Sequence, residues 1–179
     1  LQTMRIKRAY QILSETKDNV FVKVDAGIEW DYFVKYTIDK GLSGFENLSL
    51  IPGNVGAAPI QNIGAYGVEV KDLIESVNLV LVDDLSEKTL QKSECNFGYR
   101  NSIFKNELKD KFIITSVVFK LSKKQSINLG YQPLKNYFQS NNISNITSQE
   151  VRDAVISIRE SKLPNPKEIP NAGSFFKNP

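Results

Sequence analysis

Residues 73–92 read LIESVNLVLVDDLSEKTLQK. Apolar and β-branched residues fill 73–82, the acidic pair Asp83 and Asp84 falls near a turn, and 89–92 resumes an extended pattern. That arrangement predicts a β-hairpin. Residues 112–121, FIITSVVFKL, form the clearest strand, and 20–24 alternates in hydrophobicity before ending near Gly27. The helical segments stand apart from these strands. In 30–40, Phe33, Val34 and Ile38 make one apolar face, with Gly41 placed for the position after the last turn. A short helix is expected over 131–140, followed by a polar linker over 141–147. Thr147 with Glu150 three residues on is a capping box, after which Val151, Ala154, Val155 and Ile158 share a face. Hairpins and separate helices, rather than alternating βαβ units, predict an α+β fold with a mostly antiparallel sheet packed with helices.

The 179 residues suffice for one sizeable core, and 41% hydrophobic with 24% charged residues is ordinary for a globular domain. No apolar run is long enough to span a bilayer and no signal-peptide pattern opens the chain, so a cytoplasmic protein without a membrane partner is expected. The single cysteine, Cys95, excludes an internal disulfide framework and reads as a small buried residue. There is no histidine. A Ser-His-Asp triad, a Cys-His pair and the usual zinc sites are therefore excluded, and no metal site is expected. The net charge of +3 is modest and its lysines are dispersed, which argues against nucleic acid as a partner. The chain begins without methionine and stops soon after Phe175 and Phe176, an apolar pair that needs a core. An excised piece of a longer protein is the expectation.

Four segments carry candidate chemistry. Residues 51–67, IPGNVGAAPIQNIGAYG, hold four of the ten glycines and almost no charge. Such a run either lets the backbone approach a ligand closely, or serves a tight connection needing φ > 0. In 97–104, FGYRNSIF, Arg100 either presents its planar fork to a carboxylate or enolate, or packs over Tyr99. In 171–179, NAGSFFKNP, Ser174 is either a proton donor in an enclosed spot or a turn residue. In 162–167, KLPNPK, the lysines also suit the end of a helix dipole.

Together, in this order, the four motifs resemble the UDP-N-acetylenolpyruvoylglucosamine reductase family, from about Asp18 to the last residue. The resemblance implies an FAD-binding type 2 (PCMH-like) second subdomain, truncated, with residues 1–164 in the FAD-binding domain and 165–179 starting a substrate-binding domain. It implies FAD as cofactor, NADPH as hydride donor, and reduction of UDP-N-acetylenolpyruvoylglucosamine to UDP-N-acetylmuramate for peptidoglycan synthesis by a monomeric enzyme. By matching positions, Arg100 and Ser174 would be catalytic. Arg100 would stabilise the carboxylate and developing enol, and Ser174 would protonate C2. Pro52, Gly53, Gly56, Ala57, Ala58, Ile60, Ile63, Gly64, Tyr66 and Gly67 would lie along the flavin. Tyr131, Lys162 and Asn178 would position substrate or nicotinamide, and Lys162, Lys167 and Lys177 would supply cations.

Two parts of the family pattern are missing from the chain: an upstream Gly-Gly-Gly-Ser-Asn loop for the FAD pyrophosphate, and a downstream catalytic glutamate. The segment alone is therefore expected to be inactive. The rival readings are a nucleotide-binding module without redox chemistry, and another flavin oxidoreductase on the same scaffold. Oxidases of that scaffold commonly attach flavin through His or Cys, which this chain barely supplies.

Overall fold

Val20, Val22 and Val24 alternate with half-buried residues along one short strand, so a single face of it is apolar. In the computed structural model, which describes residues 9–162, 168 and 169, that strand is β2 (Asn19–Asp25) of a five-stranded sheet. The others are β1 (Tyr10–Glu15), β5 (Ile74–Leu81), β6 (Glu87–Gln91) and β7 (Phe112–Ser122), in the order β1-β2-β7-β5-β6. Every neighbouring pair is antiparallel. The central strand β7 therefore receives hairpin strand β5 on one side and β2 on the other, as an α+β fold requires. The hairpin of 73–92 forms with Val80 opposite Glu87.

Helix α1 (Trp30–Asp39) covers the apolar face of the sheet with Phe33, Val34 and Ile38. It ends where expected: Gly41 at φ +71 lets its amide and that of Leu42 return to the carbonyls of Ile38 and Thr37. Trp30, Phe33, Phe45 and Phe119 meet around it, mostly edge to face, with ring centroids 5.0–6.1 Å apart. The Trp30 indole donates to the Leu48 carbonyl at 2.8 Å, so its polar edge is satisfied inside the core.

Helices α2 (Gln132–Ser140) and α3 (Ser148–Glu160) form a second, smaller cluster through Leu134, Phe138, Val151, Ala154, Val155 and Ile158. Both bonds of the capping box are made at the start of α3: Thr147 N–H to Glu150 Oε2 at 3.0 Å, and Glu150 N–H to Thr147 Oγ1 at 3.4 Å. Buried Arg152 ties α3 to α1 through a two-pronged ion pair with Asp31, 2.7 Å on each prong.

Two elements differ from the sequence reading. Strand β1 was not expected. All six of its residues are exposed at the sheet edge, so they carry no inward-outward alternation to read. The glycine-rich run also ends in a strand pair, β3 (Gly64–Ala65) and β4 (Val68–Glu69). Cys95 is buried, its Sγ reaching the Gln91 carbonyl at 3.4 Å. Burial, with Glu94 nearby, pushes the thiol up to about 12, so it is inert.

Candidate functional site

The glycine-rich run first turns under the sheet. Its 3-10 turn Val55–Ala57 docks on the chain that follows β2: the amides of Val55 and Gly56 donate to the carbonyls of Ile28 and Ala26 at 2.9 and 3.0 Å. Gly56 lies so close that an added Cβ would stand 2.5 Å from the Ala26 Cβ and 3.2 Å from its Cα. Close packing against backbone is thus what this glycine serves. Gly56→Ala will lower the unfolding free energy by about 1–3 kcal/mol through overpacking, seen as a lower urea midpoint at unchanged m.

The amides of Ala57, Ala58, Ile60, Asn62 and Ile63 are also taken, by carbonyls of the run itself. What these residues show to a ligand is therefore chiefly apolar surface, not a nest of open N–H groups. Gly56, Ala57 and Ile60 form one wall of a cleft of about 670 Å³, faced by Phe104, Phe112, Ile113 and Ile114, with Lys105 and Lys109 also lining it. Small-molecule sites commonly occupy about 300–1,000 Å³ and are likewise mostly apolar. Of the other expected flavin contacts, Pro52 and Gly53 are exposed beside this wall, Gly53 at φ +111, whereas Ala58 and Ile63 are core residues 1% and 9% exposed.

The run then meets the loop of Arg100. Asn62 and Gly64 present their carbonyls to the guanidinium: Nη1 donates to Asn62 O at 3.3 Å and Nη2 donates to Gly64 O. The same guanidinium lies over the Tyr99 ring at 5.2 Å. The packing of Arg100 over Tyr99 is as the bland sequence reading has it, while the fork meets two backbone carbonyls rather than a carboxylate. Both acceptors are neutral, and no ion pair with a described carboxylate offsets the charge. The loop is further fastened by Ser102, whose Oγ donates to Ile60 O at 2.5 Å. Arg100 sits at φ +51, a backbone region that side chains seldom adopt without compensating contacts. Arg100 is not among the residues lining the apolar cleft, but its loop adjoins it: cleft-lining Lys105 donates from Nζ to the Arg100 carbonyl at 3.2 Å.

Between β3 and β4 the chain reverses through Tyr66 at φ +50 and Gly67 at φ +81, a two-residue turn with both central residues left-handed. Asn47 holds this turn by donating to the Tyr66 carbonyl at 2.9 Å. The Tyr66 ring meets Tyr131 edge to face at 5.4 Å. Burial pushes the Tyr66 hydroxyl up, against the pull of the Arg159 cation, so it stays protonated at neutral pH. Tyr131 is 41% exposed at the start of α2, and Lys162 is exposed just past α3, its amide on the Arg159 carbonyl at 3.0 Å. Tyr66, Tyr131 and the end of α3 are thus brought to one place. Ser174 and Asn178, with Lys167 and Lys177, lie outside the described residues.

Sequence reasoning missed Asn62, Ser102 and Arg159. Only Asn62 left a signal, since asparagine tolerates the left-handed backbone better than most residues.

Residues 1–85 match the family model of an FAD binding domain. Over 170 residues, 94% of this chain, the sequence is 54% identical to the UDP-N-acetylenolpyruvoylglucosamine reductase of Flavobacterium johnsoniae, of which it covers 50%. The enzyme of the same name from Aliivibrio fischeri is 48% identical over 93% of this chain and 47% of its own length. The chain therefore spans about half the length of these curated relatives. Among solved structures, the UDP-N-acetylenolpyruvylglucosamine reductase of Thermus caldophilus matches with a TM-score of 0.50 at 22% identity, over 79% of this chain and 69% of that one. That likeness speaks for a shared fold.

Proposed function

We propose that this chain, 54% and 48% identical to two UDP-N-acetylenolpyruvoylglucosamine reductases, is the central part of such an enzyme, building one side of its flavin and substrate sites. The observation that carries this reading is the Arg100 guanidinium, fixed by two neutral carbonyls of the glycine-rich run with no described carboxylate in ion-pair contact with it. An arginine held that way is prepared for an anion.

The residues present suit FAD. Gly56, Ala57 and Ile60 give an apolar wall of the kind that an isoalloxazine or adenine ring needs, and Lys105 and Lys109, with Asp110, leave a net positive charge beside it. When bound, the flavin supplies hydride transfer, from NADPH and on to C3 of the enolpyruvyl group. The protein's own residues do the rest. Arg100 holds the substrate carboxylate and the enol charge that develops at C2, an oxyanion-hole type of role. Ser174 delivers the proton to C2. Tyr66 and Tyr131 form an aromatic wall, and Lys162, Asn178 and the cations Lys167 and Lys177 hold the diphosphate portion and the donor. Residues 1–164 make the FAD-binding domain and 165–179 begin the substrate-binding domain.

In this reading the enzyme is a cytoplasmic monomer of peptidoglycan precursor synthesis. A segment spanning about half the length of its relatives is expected to be inactive by itself. The test uses the full-length enzyme in rapid mixing. Ser174→Ala will leave flavin reduction by NADPH near its normal rate and slow reoxidation by the enolpyruvyl substrate on the order of a hundredfold. Equal slowing of both half-reactions would remove the proton-donor role.

A further inference from the structure

Asn62 is a polar side chain with no exposed surface, held at φ +46 inside the glycine-rich run. Its side-chain amide and its carbonyl are all engaged in the scaffold around Arg100, while its own N–H closes a turn on the Pro59 carbonyl at 3.1 Å. Its Nδ2 donates to the Gly98 carbonyl at 2.9 Å, two residues before Arg100 in the arginine loop. Its Oδ1 accepts from the Lys71 amide at 3.0 Å, just beyond β4. Its own carbonyl accepts from Arg100 Nη1 at 3.3 Å. One residue therefore ties the arginine loop, the β3–β4 pair and the guanidinium itself. A buried amide donor or acceptor left unmade costs far more than the bond contributes when formed, so these links resist independent movement.

We propose that Asn62 is the positioning residue for Arg100: it touches neither substrate nor cofactor, and it sets where the guanidinium meets the substrate anion. The proposal rests on the anion-binding reading of Arg100 given above. The residue has two separable functions. The left-handed backbone aims the carbonyl at Nη1, and the amide holds Gly98 so that Arg100 keeps its own φ of +51. Glycine at this position adopts the same backbone without strain but lacks the amide, so Asn62→Gly isolates the hydrogen bonds from the conformation. Asn62→Asp keeps the shape and the acceptor for Lys71, and sets a carboxylate oxygen against the Gly98 carbonyl.

The test is a double-mutant cycle in the full-length enzyme. Asn62→Gly is expected to slow reoxidation by the enolpyruvyl substrate about tenfold or more. It is also expected to weaken binding of the UDP-sugar product, by calorimetry, by a similar factor while flavin reduction by NADPH stays within about twofold. In the Arg100→Ala background the same change should cost less than about twofold, because the residue it positions is gone. Asn62→Asp gives the same pattern, so an unfolded glycine variant leaves the question decidable. Equal losses in both backgrounds would overturn the positioning role alone and mark Asn62 as general scaffold. Wild-type reoxidation in Arg100→Ala would overturn the reading of the arginine, and the positioning role with it.

Discussion

Gly64→Ala in the full-length enzyme will slow reduction of the enolpyruvyl substrate on the order of a hundredfold to a thousandfold, the usual loss when one preorganised donor is removed. A Cβ at this position would stand 2.6 Å from Arg100 Nη1, 3.0 Å from the Val68 carbonyl and 3.1 Å from Glu69 Cγ. The carbonyl belongs to the β3–β4 pair and has little room to yield, because Gly64 and Glu69 are cross-strand partners there. The guanidinium is the far end of a flexible side chain, so it is the group that moves. It would lose its bonds to the Gly64 and Asn62 carbonyls together. Flavin reduction by NADPH should change little, since the apolar cleft is walled by Gly56, Ala57 and Ile60, and neither Gly64 nor Arg100 lines it. Rapid-mixing rates for the two half-reactions, with the flavin content of the purified protein, provide the check. A wild-type reoxidation rate would mean that Arg100 does not act where the two carbonyls hold it.

This contrast shows which parts of the molecule the sequence discloses. Strands β2, β5 and β7 and helices α1 and α3 are written in local pattern: alternating valines, a helix stop at Gly41, a capping box at Thr147. Each depends on neighbours within a few residues, which is why the reading holds. Strand β1 depends on nothing local. It is an exposed edge whose pairing with β2 is a tertiary choice. The β3–β4 turn was hidden for a different reason: Tyr66 is a poor residue for a left-handed turn position, and only its burial against Tyr131 and the Asn47 bond account for it.

The site itself is assembled across 36 and 38 residues of chain, where Arg100 reaches Gly64 and Asn62. The family resemblance named Arg100 and Gly64 without disclosing their contact, and it did not name Asn62. The glycines misled in one respect. They suggested a backbone open to a ligand, whereas the amides of Val55, Gly56, Ala57 and Ala58 are engaged with protein carbonyls. Gly56 and Gly64 are required by what crowds them, the Ala26 backbone in one case and the Arg100 fork in the other.

Asp31→Asn will lower stability by about 3 kcal/mol or more, a typical cost when one member of a buried ion pair is removed and the other charge is left behind. Arg152 is 7% exposed, and it has both guanidinium nitrogens on Asp31 at 2.7 Å; Asp31 Oδ1 also accepts from the Leu50 amide at 2.5 Å. Burial alone would push the Asp31 carboxyl up. The Arg152 bond, the Leu50 amide and the nearby Arg159 charge outweigh it and hold the group below the ordinary 3.8. A carboxyl depressed on folding stabilises the folded state at pH above its unfolded value. That contribution is lost as pH falls through the depressed folded value. Urea midpoints measured from pH 7 down to pH 3 should therefore fall in the parent protein below about pH 4, and that decline should be flatter in Asp31→Asn. Replacing both partners together, Asp31→Leu with Arg152→Met, should cost much less than the single change, because no buried charge is orphaned. The functional consequence follows from what α3 carries. Its last turn holds Arg159 beside the Tyr66 hydroxyl, and Lys162 comes directly after it. A helix loosened at Arg152 moves that edge of the site relative to Tyr66, so Asp31→Asn should also raise KM for the UDP-sugar more than it lowers kcat. A steep acid decline retained in Asp31→Asn would assign the pH dependence to another carboxyl and separate this ion pair from the docking of α3.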